Sequence, residues 1–190
     1  MRWQRPALLW TAVLAAGLGL WAGHRLTPVP AADTGDPDVQ MPAPAAPVPV
    51  LRAGDALPAL VLPDLQGQPL DLRQRFAGRP LLINVWASWC GPCVEEMPEL
   101  SRFAQAQEPD GVQVLGLALD TPEDVQRFLQ RVPVAYPIVL ETPGPRDASV
   151  QLGNAQGLLP YSVLVDAQGR IVKQKLGPFA AGEVQTWARL

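Results

Sequence analysis

The chain has two cysteines, and both lie in Trp89-Cys90-Gly91-Pro92-Cys93. Their surroundings limit the fold more than any other feature. Residues 80–86, Pro80-Leu81-Leu82-Ile83-Asn84-Val85-Trp86, form an apolar run that reads as a buried strand. Residues 94–104 read as a helix. Cys90 therefore sits where a strand feeds a helix, and Cys93 falls in the first turn. Side chains three apart on a helix are neighbours, at roughly 5–6 Å between Cβ atoms, so a small local adjustment lets two sulfurs bond. The first-turn N–H groups lack intrahelical partners and the helix dipole is positive there, which stabilises a thiolate at Cys90. The pattern fits one thiol that attacks a disulfide and a second that resolves it.

Two plainer readings of the pair stay open at this point. A zinc site needs four ligands. The one histidine, His24, lies far upstream, so carboxylates or a second chain would have to complete the set. A purely structural disulfide closing so short a loop would constrain little of the unfolded chain. Cys–His nucleophilic catalysis lacks its base, because no histidine lies near the pair.

The stretch from Asn84 to Cys93, followed by Pro98, resembles the active site of thioredoxin-like proteins. Gly157-Leu158-Leu159-Pro160-Tyr161-Ser162-Val163-Leu164-Val165-Asp166 resembles the segment that carries their cis-proline. With an apolar N-terminal segment in front, the chain resembles the TlpA/ResA-like branch of membrane-tethered thiol–disulfide oxidoreductases. The resemblance covers residues 51–190. It implies an α/β fold, a thioredoxin-like mixed sheet with helices on both faces, an N-terminal hairpin extension and a central strand-helix insertion.

Residues 7–23 carry no charge and reach the lower length limit of a spanning helix, about 17 residues. Arg2 and Arg5 precede them and hold the N-terminus inside. Residues 1–25 are expected to be an uncleaved signal anchor. Cleavage of a signal peptide is the alternative, but Val29-Pro30-Ala31 is a poor and late processing site. Residues 26–50 hold seven prolines among alanines and aspartates, and read as an extended linker. This places the domain, residues 51–190, on the periplasmic or other extracytoplasmic side of the inner membrane, tethered by a single pass. The chain's net charge is −3 with no basic cluster in the sequence, which gives no support for nucleic-acid binding.

Within the domain, residues 59–62 and 69–72 flank a turn at residues 64–68 and read as a hairpin. A short helix over residues 73–77 follows. Residues 112–119 read as a buried strand, followed by a helix over residues 122–131. Thr121 is its expected N-cap, Pro122 its first residue and Asp124 its capping-box partner. Residues 136–140, 161–165 and 170–176 complete the strands; residues 147–152 and 183–189 read as short helices. Alternating strands and helices closed by an antiparallel hairpin argue for a mixed sheet covered on both faces. Pro98 removes a helix donor and reads as a kink. Glu95, Glu96 and Glu99 read as solvated charges favoured near a helix start.

The resemblance makes Cys90 the attacking thiol and Cys93 the resolving one. Trp89, Gly91, Pro92, Leu159 and Pro160 are the expected substrate-binding residues, with Leu159–Pro160 cis; an ordinary trans proline at a strand start is the alternative. Trp86 reads as packing. Cytoplasmic thioredoxin has a buried aspartate where Asn84 stands, and asparagine cannot titrate. Asp120 matches the place where TlpA/ResA-like proteins put a carboxylate, so it is the expected proton carrier; a helix-start role is equally open. No cofactor beyond the Cys90–Cys93 disulfide and no metal is expected. The implied partners are disulfide-bonded proteins, such as an apocytochrome c during cytochrome c maturation, and a membrane disulfide-electron carrier as reductant. A monomer is expected. A thiol peroxidase of the broader redoxin group and a Cu(I)-delivery protein remain alternatives.

Overall fold

Strand β3, Leu81–Trp86, is buried along its whole length, and the two faces of the domain are built on it. The computed structural model describes residues 50–190; the expected anchor and all but the last residue of the expected linker lie outside the described residues. Ala46–Leu190 is a compact unit. Among the described residues, no helix is long and apolar enough to cross a membrane.

Strands β1 (Val61–Pro63) and β2 (Pro69–Asp71) pair antiparallel as a small hairpin. Helix α1, Leu72–Arg75, follows directly, with Asp71 accepting from Arg73 N–H and Gln74 N–H; it starts one residue earlier than the sequence suggests. After β3 come α2 (Gly91–Gln105), β4 (Gln113–Leu119), α3 (Pro122–Leu129) and β5 (Ile138–Glu141). The chain ends with α4 (Ala148–Gln151), β6 (Tyr161–Val165), β7 (Ile171–Leu176) and α5 (Glu183–Trp187). The main sheet has the order β5-β4-β3-β6-β7. β3, β4 and β5 run parallel, while β6 is antiparallel to β3 and to β7. This is the expected mixed sheet, with the N-terminal hairpin and with β4 and α3 between the two motif-bearing segments.

The period of two along β3 divides the core. Leu82 and Trp86 pack on one face with Met97, Leu100 and Phe103 of α2, Val125 and Phe128 of α3, and Val184 of α5. Leu81, Ile83 and Val85 pack on the other with Leu72 of α1 and Ala148 of α4. Burial of these side chains supplies the main driving force of the fold. Gly116 of β4 lies opposite Asn84. A Cβ there would lie 2.4 Å from Ile138 Cδ1 and 3.0 Å from Trp86 Nε1, so its absence is what lets the Trp86 ring settle.

Both faces are closed by residues of this one unit. A fragment spanning residues 46–190 is therefore expected to fold, to stay soluble and to run as a monomer in size-exclusion chromatography, with a cooperative thermal transition. An aggregating or molten fragment would show that the domain needs residues upstream of Ala46.

Candidate active site

The polypeptide leaves β3 at Trp86 and enters α2 at Gly91, so the loop 87–90 is short and fixed at both ends. Cys90 is the N-cap of α2, in extended conformation, and its side chain makes no capping hydrogen bond. Cys90 and Cys93 form a disulfide, with Cα atoms 5.3 Å apart. Cys90 is 6% exposed and Cys93 is fully buried; Cys90 is the more accessible of the two, but only slightly open. Trp89 beside it is 70% exposed, and Gly91 and Pro92 are exposed as well. Trp86 is fully buried and meets Phe128 at 5.2 Å between ring centroids, in keeping with a packing role.

The Leu159–Pro160 peptide bond is cis. Tyr161 pairs with Val85 across the sheet, so Leu159 and Pro160 lie beyond the end of that pairing, on the side where β3 gives way to the loop. Leu159 packs against the cluster that contains Cys90 and Cys93. Backbone groups around it are largely taken. Pro160 C=O accepts from Gly177 N–H at 2.9 Å. The side chain of Asn154 accepts from Leu158 N–H at 3.2 Å and donates to Leu158 C=O at 3.0 Å. Asn154 is 3% exposed, and it shapes the approach to the cis bond. The sequence carried no motif for it. Leu158, 49% exposed, adds an apolar surface that sequence reading also passed over.

Asp120 follows β4, at the same end of the sheet. Its Oδ2 accepts from Ser88 N–H at 2.9 Å and from Ser88 Oγ at 2.6 Å, and its Oδ1 accepts from Thr121 N–H at 2.8 Å. It is a brace for the loop that carries Trp89 and Cys90. The helix cap is Thr121, which accepts from Asp124 N–H, as the sequence indicated. Its carboxylate thus joins Ser88 of the loop to Thr121 at the start of α3.

Glu96 corrects the sequence reading most sharply. It was expected in solvent and is 4% exposed. It sits one turn beyond Cys93, where side chains three apart are neighbours. Its Oε1 accepts from Asn84 Nδ2 and its Oε2 from Phe179 N–H, both at 2.8 Å. Asn84 Nδ2 also donates to Ser162 Oγ at 3.1 Å. Burial pushes the Glu96 carboxyl above its ordinary range; the Phe179 N–H, Asn84 and Lys175 oppose this, and Glu183 adds to it. Glu99 is also bound, accepting from Gly182 N–H at 2.7 Å, while Glu95 is exposed as expected. The signal was available: Glu96 stands between Cys93, Met97 and Leu100 on the apolar stripe of the helix.

Residues 52–188 match the family model described as Redoxin. The chain belongs to the redoxin family. It is 31% identical over 142 residues to thiol-disulfide oxidoreductase ResA of Halalkalibacterium halodurans, covering 73% of this chain and 77% of that one. It is 28% identical over 137 residues to sporulation thiol-disulfide oxidoreductase A of Bacillus subtilis, covering 70% and 79%. Among solved structures it resembles a thioredoxin-related protein from Neisseria meningitidis serogroup B, with TM-score 0.55, 34% identity and 65% and 88% coverage. A secreted thiol-disulfide isomerase from Corynebacterium glutamicum gives TM-score 0.61 at 25% identity, with 70% and 82% coverage. This redoxin, with its Cys90–Cys93 pair, is a thiol–disulfide oxidoreductase acting on disulfide-containing proteins.

Substitutions at two positions read the site. Glu96→Ala leaves Phe179 N–H and Asn84 Nδ2 buried without their acceptor, and should cost about 1–3 kcal/mol for each donor in urea denaturation. The raised carboxyl gives a definite pH signature. The folded redoxin keeps the Glu96 proton to higher pH than the unfolded chain does. The stability of the neutral form is fully present below the ordinary value of 4.5 and is lost as pH rises through the folded value. Glu96→Gln should remove that slope. Asp120→Asn puts an amide N–H against Ser88 or Thr121 N–H, and should cost about 1–3 kcal/mol, where a simple cap would tolerate Asn.

Proposed function

We propose that the protein reduces disulfides of polypeptides outside the cytoplasm, tethered to the membrane by residues 1–25. The observation that carries the reading is a helix-end cysteine pair in which Cys90 keeps a slight exposure and Cys93 has none. In the reduced enzyme, the Cys90 thiolate attacks one sulfur of a substrate disulfide. The other substrate sulfur leaves as a thiolate and takes a proton. Cys93, as thiolate, then attacks Cys90 Sγ of the mixed disulfide. The second substrate sulfur leaves, and two electrons have passed from the enzyme to the substrate. The product enzyme is the Cys90–Cys93 disulfide seen here.

The cycle needs protons near an apolar site. Glu96, rather than Asp120, suits the role of proton carrier. It is buried one turn from Cys93, and burial lets it keep its proton to higher pH than an exposed carboxyl does. Asp120 holds the loop. Trp89, next to Cys90, and Leu158, next to Leu159, offer exposed apolar surface. Leu159, whose backbone neighbours are bonded within the domain, is the residue left to pair with an extended substrate segment. The chemistry uses the two sulfurs alone and calls for no further cofactor. An apocytochrome c awaiting haem attachment is a suitable substrate, and a membrane disulfide-electron carrier a suitable reductant, because both operate at the membrane face where the tether would hold this domain.

A thiol peroxidase would turn over peroxide with a thiol donor; the Trp-Cys-Gly-Pro-Cys pairing favours exchange with disulfides instead. A Cu(I)-delivery protein would purify with metal when reduced, and metal analysis separates that reading.

Cys90→Ser should abolish disulfide reduction. Cys93→Ala should accumulate mixed disulfides through Cys90, visible as thiol-sensitive bands on non-reducing gels and identifiable by mass spectrometry. In the reduced wild type, limiting alkylating reagent should label Cys90 first. Preferential labelling of Cys93 would reverse the roles.

A further inference from the structure

The segment that leads into the cis bond is held by one buried side chain. Asn154 Oδ1 accepts from Leu158 N–H at 3.2 Å, and Asn154 Nδ2 donates to Leu158 C=O at 3.0 Å. A side-chain amide carries both an acceptor and donors, so one asparagine takes both polar groups of one backbone residue. Those are the groups by which Leu158 would pair with a neighbouring strand. On the other side of Leu159, Pro160 has no N–H, and its C=O accepts from Gly177 N–H at 2.9 Å. Between them, Leu159 N–H and C=O have no hydrogen-bond partner among the described residues. The Leu159 side chain packs on both core clusters. One residue of the segment thus offers a free backbone donor and acceptor, and its neighbours on both sides are engaged.

Asn154 is itself fixed from behind. Its N–H donates to Ser149 C=O at 2.9 Å, and its C=O accepts from Gly157 N–H at 3.0 Å. Its Nδ2 reaches Ser149 Oγ at 3.5 Å, and Ser149 Oγ donates at 2.7 Å to Oδ1 of Asp147, the N-cap of α4. Ser149 is fully buried and Asn154 nearly so, so water does not compete for these bonds. The chain leaves α4 through Gly153 at φ +104°, where a Cβ would lie 2.6 Å from Leu51 C=O. Glycine is the residue that can take this path to Asn154.

We propose that Asn154 is a positioning residue that sets the register of a bound substrate chain. It acts through Leu158 and touches neither the substrate nor the sulfurs. The proposal rests on the reading that an extended substrate segment pairs at Leu159. A paired chain advances about 3.3 Å per residue, and a slip of one residue turns every side chain to the opposite face. A slipped substrate therefore turns its cysteine away from Cys90. With Leu158 occupied, Leu159 is the one place on this segment to pair, and one register is available. Without Asn154, the N–H and C=O of Leu158 are released, and a substrate backbone can satisfy them one residue out of step.

Register can be read directly with a short peptide whose one cysteine is disulfide-bonded to a small thiol. In the Cys93→Ala protein, the Cys90 thiolate attacks the peptide sulfur. The Cys90–peptide disulfide forms, and the small thiol leaves as a thiolate and takes a proton. Mass spectrometry counts the adduct. A set of peptides carries one backbone N-methyl group, placed in turn on each of the two residues on either side of the cysteine, which removes one N–H donor. With Asn154 present, one N-methyl position should lower the adduct rate at least about tenfold, and the others should have little effect. With Asn154→Ala added, no position should lower it more than about threefold, because the chain pairs in either register. Each loss is a ratio to the unmodified peptide on the same protein, so a lower stability or overall rate cancels. If the alanine variant does not fold, Asn154→Asp takes its place under the same criterion, since it accepts from Leu158 N–H but cannot donate to Leu158 C=O. An unchanged one-position profile in the variant makes Asn154 a structural tie only and overturns the proposal. A flat profile with Asn154 present overturns pairing at Leu159, and the proposal with it. No adduct with the unmodified peptide strikes instead at disulfide exchange itself, and the proposal falls with it.

Discussion

Every side chain of β3 is buried, and one of them, Asn84, is an amide. An amide in that position can find partners only inside the protein; its Oδ1 has none, while its Nδ2 donates twice. The partners it has, Glu96 and Ser162, come from α2 and β6. Glu96 in turn holds Phe179 of the β7–α5 connection. A single polar position on the central strand thus ties the helix that carries the cysteines to the strand that follows Pro160 and to the chain leading into α5. The apolar layers would pack helices against the sheet in many nearby positions. The hydrogen bonds choose among them, and they do so directly beneath the disulfide.

The loop ahead of Cys90 is set by a second tie of the same kind, from Asp120 to Ser88. Both ties join segments far apart in the chain and both end within two or three residues of a cysteine. The disulfide is framed on its inner side by fixed polar contacts and on its outer side by apolar Trp89. That division separates the demands of geometry from those of substrate recognition.

Much of this was legible in the sequence. The apolar run before Trp89, the strand-helix alternation and the Thr121-Pro122-Asp124 cap rest on local rules, and the structure follows them within a residue or two. The pairing of Cys90 with Cys93 and the cis bond before Pro160 were visible through resemblance. What could not be read locally were contacts across the sheet. Glu96 was assigned to solvent because a helix start attracts carboxylates, and that rule says nothing of which face the side chain takes. The stripe of Cys93, Met97 and Leu100 would have placed it correctly. Asp120 was expected as a proton carrier or a helix-start residue through resemblance and helix rules, and neither points to its hydrogen bonds with Ser88. Asn154 acts on Leu158 through a turn whose geometry depends on the tertiary structure.

The complete burial of Cys93 has a kinetic meaning. A sulfur that solvent cannot reach is also beyond the reach of a dissolved thiol or oxidant, so its one available reaction is with its neighbour on the same helix. In the proposed cycle, resolution is then a first-order event, with an effective molarity that for well-held groups can reach about 10⁵–10⁸ M. A mixed disulfide on Cys90 meets this internal competitor before any external one. The lifetime of the covalent complex is fixed by the protein and is insensitive to the thiol concentration around it.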